Sequence, residues 1–278
     1  MSERIWLVTG ASSGLGRAIA EAALAAGDTV AAAARKTDAL ADLAAAYPGR
    51  VDPVALDVSD TASAGEAVAG VVDRHGRLDV LVNSAGRALV GAVEETTDRE
   101  LRDLMDVHFF GPAALTRAAL PYLRRRRSGA IVQITSMGGR MSFAGVGAYS
   151  ATKFALEGLS EALAAEVGPL GIRVLIVEPG AFRTGLHRGG VRQETAPNPA
   201  YDDIVGPVRA AQADFDGRQP GDPAKAAAAI LAALDADEPP LRLVLGNVAA
   251  DAIAASLDTA RAELAAWESV SRGTDIDT

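Results

Sequence analysis

The chain has 278 residues, 49% of them apolar, no cysteine and a formal net charge of −9. Its length suits one large α/β domain over 1–278 with a sizeable core. The acidic balance speaks against a nucleic-acid footprint, the missing cysteines exclude disulfides and thiolate chemistry, and no apolar run approaches the ~18 residues that span a bilayer.

The opening residues Met1-Ser2-Glu3-Arg4 lack the basic start and cleavage site of a secretory signal, so a cytoplasmic protein is expected. Short apolar runs then alternate with helical stretches, the pattern of βαβ units in a parallel sheet. Strands are expected at 4–9, 29–34, 51–56, 78–82, 129–134, 172–177 and 241–245, and helices at 15–26, 59–75, 98–126, 148–168, 222–235 and 247–268. Continuous apolar runs such as Val174-Leu175-Ile176-Val177 fit strands buried on both faces. The fold expected is a single doubly wound Rossmann domain, with a seven-stranded, mostly parallel sheet and helices on both faces.

The first strand runs into Thr9-Gly10-Ala11-Ser12-Ser13-Gly14-Leu15-Gly16. Small residues between a strand and a helix let the backbone approach a pyrophosphate, whose charge the helix N-terminus stabilises. Ser12 and Ser13 either place hydroxyls near the phosphates or cap the helix. The second strand ends in Arg35-Lys36 with no carboxylate, which favours NADP(H) over NAD; a solvated basic turn is the plainer alternative. Asp57-Val58, after the third strand, can face the adenine edge, and Asn83-Ser84-Ala85-Gly86, after the fourth, offers small residues along the adenosine ribose.

Further along, Arg124-Arg125-Arg126-Arg127 closes a helix, where cations complement the macrodipole; a phosphate-binding patch is the competing reading. Ser136 follows the fifth strand, and Tyr149 and Lys153 lie one helical turn apart on one face. Reducing a ketone needs a hydride and a proton. A tyrosine with a lowered pKa can supply the proton, a nearby lysine stabilises its phenolate, and a serine hydroxyl can hold the carbonyl oxygen. Met137, Met141 and Phe143 are either pocket lining, suiting a largely apolar substrate, or core. Residues 182–221, rich in glycine and proline with a short helical candidate at 201–212, read as a substrate-binding flap or a plain surface insertion. His75 and His187 have no partner at metal-ligand spacing, so no metal site is expected.

These motifs, in this order, resemble the short-chain dehydrogenase/reductase family, single-domain branch, NADP type. The resemblance covers residues 4–184 and rests on the glycines, Asp57, Asn83–Gly86, Ser136, Tyr149, Lys153 and Pro179-Gly180. It implies that Lys153 also holds the nicotinamide ribose, that Pro179, Gly180, Phe182 and Thr184 flank the nicotinamide, and that the chain forms a dimer or tetramer through 98–126 and 148–168. Two positions depart from the family. His108 stands where an asparagine usually maintains a water relay, and is either a relay member or a packing residue. Ser84 replaces a second asparagine. An NADP(H)-dependent carbonyl reductase or alcohol dehydrogenase acting on a small molecule is the expected function. A non-catalytic NADP(H) sensor, or an epimerase or dehydratase on the same fold, remains open.

Overall fold

The computed structural model describes residues 3–187 and 191–276. Nine strands are formed among the described residues: β1 (Ile5–Thr9), β2 (Thr29–Ala34), β3 (Val51–Ala55), β4 (Val80–Asn83), β5 (Ala88–Val90), β6 (Ala130–Ile134), β7 (Arg173–Pro179), β8 (Arg192–Glu194) and β9 (Arg242–Leu245). Seven of them make one sheet in the order β3-β2-β1-β4-β6-β7-β9, with every pairing parallel. The order reverses between β1 and β4, and in open sheets ligands bind at such a switch point, beyond the carboxyl ends of the strands.

Strand alternation divides the core into two layers. Trp6, Val8, Val30, Ala32, Val82 and Val132 pack on one face with α1 (Gly14–Ala25) and α8 (Pro223–Asp235). Leu7, Ala31, Ala33, Leu81, Ile131 and Ile176 pack on the other with α3 (Ala64–His75), α5 (Gly111–Arg126) and α6 (Gly147–Val167). Both faces are therefore apolar, which is why these strands read as continuous rather than alternating runs. The remaining helices are α2 (Ala41–Ala46), α4 (Asp98–Met105), α7 (Asp202–Asp214), α9 (Asn247–Ala266) and α10 (Glu268–Arg272).

Several local expectations change. The helix expected over 98–126 is α4 and α5 joined by a π-turn at Asp106–Phe110. Gly111 sits where a Cβ would collide with the Val58 carbonyl, so the widened turn brings this helix against the β3 loop. The 59–75 helix starts only at Ala64, after a 3₁₀ turn capped by Asp60. A helical turn at Thr37–Leu40 leading into α2, and the small parallel sheet of β5 with β8, add to the expected elements. The arginine run sits at the end of α5, with Arg126 paired to Asp79 and Arg127 donating to the Pro169 carbonyl, which favours capping over a binding patch. Among the described residues no helix is long and apolar enough to cross a membrane.

The 182–221 segment leaves β7 and returns to its own start: Phe182 bridges Gly221. Between these ends lie β8 and α7, while residues 188–190 of the expected flap lie outside the described residues. A buried cluster pins the segment down. Glu95 accepts from Thr195 Oγ1 (2.9 Å), the Asn198 amide (2.8 Å) and Arg209 Nη2 (2.6 Å). Burial alone would raise the Glu95 carboxyl, but these bonds and one from the Ala92 amide outweigh it and hold it at about 2.

Candidate active site

A cavity of about 930 Å³ opens at the carboxyl ends of the central strands and runs under the flap. Gly10 and Gly14 take positive φ (68° and 60°), and a Cβ on Gly10 would lie 2.9 Å from Ala85 Cα. A Cβ on Gly16 would lie 2.5 Å from the Gly10 carbonyl oxygen. The loop thus closes tightly onto α1 and onto the Ser84–Gly86 turn as only glycine allows. Thr9 Oγ1 ties the two turns together by accepting from the Ser84 and Ala85 amides.

The start of α1 is open to an anion. Ser13 makes no side-chain cap, and the first turn holds no acidic residue. Both Ser12 and Ser13 line the cavity, as do Gly10, Gly14, Leu15 and Gly16. A cradle of this shape, with uncapped helix amides and free serine hydroxyls, fits a dinucleotide pyrophosphate. Arg35, Asp57, Val58, Ala85, Gly86, Pro179, Gly180, Phe182 and Thr184 line the same cavity. Asp57 lies lower in pKa than an ordinary carboxyl, mainly because Ser59 Oγ donates to it at 2.6 Å.

Two candidate cofactor residues fall elsewhere. Lys36 is exposed and does not line the cavity, whereas Arg35, the first residue after β2, does. Asn83 is buried within the sheet, where Nδ2 donates to Gln133 Oε1 at 2.9 Å. Arg87, in contrast, was missed: it lines the cavity, and among the described residues its side chain has no hydrogen-bond or ion-pair partner. Its position directly after the Asn83–Gly86 run was the available signal.

Ser136, Tyr149 and Lys153 meet at the cavity floor. Ser136 ends the β6 segment and caps a short turn, its Oγ accepting from the Gly138 amide at 3.0 Å. Lys153 is 6% exposed and donates to the Ile134 carbonyl at 3.0 Å, with Nζ 5.7 Å from the Tyr149 ring centroid. Burial lowers its pKa to about 8, with the Glu157 carboxylate pulling the other way. The lowered tyrosine pKa expected from the sequence is not what this geometry gives: burial raises Tyr149, with the Ser136 hydroxyl acting in the opposite sense. Lys153 reaches the Ile134 carbonyl rather than the phenol, so its stabilisation of a phenolate is not made here.

His108, on the π-turn, is 1% exposed and lines the cavity edge-on to Tyr149, ring centroids 5.5 Å apart. Nε2 accepts from the Arg87 amide at 3.1 Å, which fixes Nδ1 as the protonated nitrogen. Nδ1 then donates to Thr152 Oγ1 at 2.9 Å, and Thr152 donates to the Tyr149 carbonyl at 2.7 Å. Burial, with the Lys153 and Arg87 charges, pushes its pKa well down, so the ring is neutral. Both nitrogens are engaged by protein groups, leaving neither for a relay water. Of the two readings of His108, these bonds favour the packing one. Met137 and Phe143 line the cavity, whereas Met141 does not. Among the described residues no cluster of metal-ligating groups occurs.

A family model described as short chain dehydrogenase matches residues 4–195. The chain is 37% identical to an oxidoreductase, BOA17, of Botryotinia fuckeliana over 96% of this chain and 98% of that one. A short-chain dehydrogenase structure from Streptomyces avermitilis superposes with a TM-score of 0.93 at 61% identity, covering 99% of both chains. Another from Burkholderia cenocepacia, in complex with NADP, gives a TM-score of 0.73 at 29% identity over 95% of this chain and 97% of that one.

Proposed function

The chain belongs to the short-chain dehydrogenase/reductase family, and on that premise we propose that it is an NADP(H)-dependent oxidoreductase that interconverts a carbonyl and an alcohol. The observation that carries this reading is the convergence of Ser136, Tyr149 and Lys153 on the cavity that the glycine loop also lines. The bound dinucleotide would supply the hydride.

The residues divide the remaining work. Gly10, Gly14 and Gly16 with the α1 N-terminus hold the pyrophosphate, and Ser12 and Ser13 add hydroxyls to it. Arg35, exposed at the end of β2 with no acidic residue adjoining it in sequence, receives the 2′-phosphate; the NADP-bound relative from Burkholderia cenocepacia supports that choice. Pro179, Gly180, Phe182 and Thr184 flank the nicotinamide side. Ser136 Oγ donates to the carbonyl oxygen, and Tyr149, which burial keeps protonated at neutral pH, delivers its proton to the same oxygen as the alkoxide forms. Lys153, charged below about pH 8, stabilises the phenolate left behind once bound ligands draw it from the Ile134 carbonyl. His108 and Thr152 hold the Tyr149 backbone, a positioning role.

The 182–221 segment acts as the substrate flap within a single catalytic domain. The chain assembles as a homodimer or homotetramer through α4–α5 and α6, where Phe110 and Phe154 are left exposed. NADPH oxidation across a panel of ketones and aldehydes tests the reading, with Tyr149→Phe in parallel. Turnover that falls by ~10³-fold or more in the variant, with NADH a poorer donor, is expected. Tight NADPH binding with no turnover on any carbonyl would overturn it in favour of a sensor.

A further inference from the structure

The cavity continues past Ser136 and Tyr149 beneath the flap, and its wall there changes character. Phe143, Val146 and Leu186 line it together with Val208, Ala211 and Phe215, on and just beyond α7. Phe143 and Phe215 remain 49% and 39% exposed, a large apolar surface left uncovered beside the reacting groups. Pockets gain most from a ligand that covers such a surface.

Two arginines of the flap are engaged elsewhere. Arg209, from the same helix, turns to the buried Glu95 at 2.6 Å, and Arg192 pairs with Glu194 at 2.6 Å. Among the described residues no charged side chain of the flap lines the cavity, whose cations Arg35, Arg87 and Lys153 come from other segments, so a carboxylate or phosphate laid against the flap would lose its hydration without a counter-charge from that wall. From Val208 to Phe215 the wall follows about 10 Å of helix, a distance suited to an extended chain rather than a small ring.

We propose that this site takes carbonyl compounds bearing an extended, uncharged apolar chain, with α7 as the element that selects for it. The inference rests on the carbonyl–alcohol reading above. Its mechanism is graded burial: each methylene laid along the wall leaves water.

The test uses a series of 2-alkanones from 2-butanone to 2-decanone on the full chain. Two quantities are read: Kd for each ketone on protein saturated with NADP⁺, by calorimetry, and kcat/KM with NADPH. Affinity should rise about threefold to fourfold per added methylene until the wall is filled. Ala211→Asp, on an exposed helix position, should flatten that slope, whereas Phe215→Leu should largely keep it. Equal Kd values across the series, or a slope untouched by Ala211→Asp, would overturn the proposal. A clear slope in Kd without turnover of any ketone would support the wall while removing the carbonyl reaction itself.

Discussion

Lys153 is the buried cation among the residues that converge on the cavity. Burial brings it down to about 8, and it loses its charge as pH rises through that value. With Tyr149 held above its ordinary range, the phenol is a proton donor on both sides of this point while its cationic neighbour is not. Ketone reduction should therefore fall off above about pH 8. Glu157, one turn further along α6, is the charge that keeps Lys153 from dropping lower. Glu157→Gln should move the alkaline limb to lower pH while leaving the reaction intact, as a kcat/KM profile would show; an unmoved limb would assign it to another group. Arg35 supports a second residue-level expectation. Arg35→Ala should weaken NADPH by about 10- to 100-fold, the range of one charge-assisted bond, and leave NADH nearly unchanged, read from fluorescence titration of each. Equal loss for both would place Arg35 outside the 2′-phosphate site.

Among the elements, the flap is held by a buried polar anchor. Glu95 lies at 0% side-chain exposure and Arg209 at 11%, so the pair is dry and also holds Thr195 and the start of the α7 turn through Asn198. Removing one partner of such a pair typically costs about 3–5 kcal/mol, because the other charge stays buried. Arg209→Ala should accordingly raise amide exchange in 192–215 while β1, β4 and β6 stay protected, in a native-state exchange experiment; uniform protection would show that apolar contacts hold the flap instead. The pH sense follows from the depressed carboxyl. Glu95 contributes its stabilisation above about 4.5, and this is lost as pH falls towards about 2. The flap should stay anchored through the whole range in which Lys153 titrates.

For the whole molecule, the proposed assembly would rest on residues of separate helices. Phe110, at the end of the π-turn, is 47% exposed, and Phe154, beside Lys153 on α6, is 46% exposed. Covering them in a partner would bury surface on the same helices that position His108 and Tyr149. Phe110→Ser combined with Phe154→Ser should shift the sedimenting species towards monomer; an unchanged mass would remove these helices from the interface. If the proposed interface forms, exposing the apolar surface it covers should also lower thermal stability.

The amino-acid sequence determined the class of fold, because strands buried on both faces must be continuously apolar and their spacing leaves room only for crossover helices. It also disclosed the glycine loop, Ser136 and the Tyr149–Lys153 pair, since turn chemistry and a one-turn spacing are local properties. What it left undecided depends on contacts between distant segments. Asn83 sits beside the ribose run in sequence, yet its side chain belongs to Gln133 on the neighbouring strand. His108 could not be assigned until the π-turn brought it under the Arg87 amide and against Thr152. Arg87 became visible only as a cation in the cavity without a partner among the described residues. Lys153 was legible as a neighbour of Tyr149, but its pKa depends on the burial that β6, α6 and Glu157 create together, and dielectric surroundings are set by packing rather than by spacing along the chain.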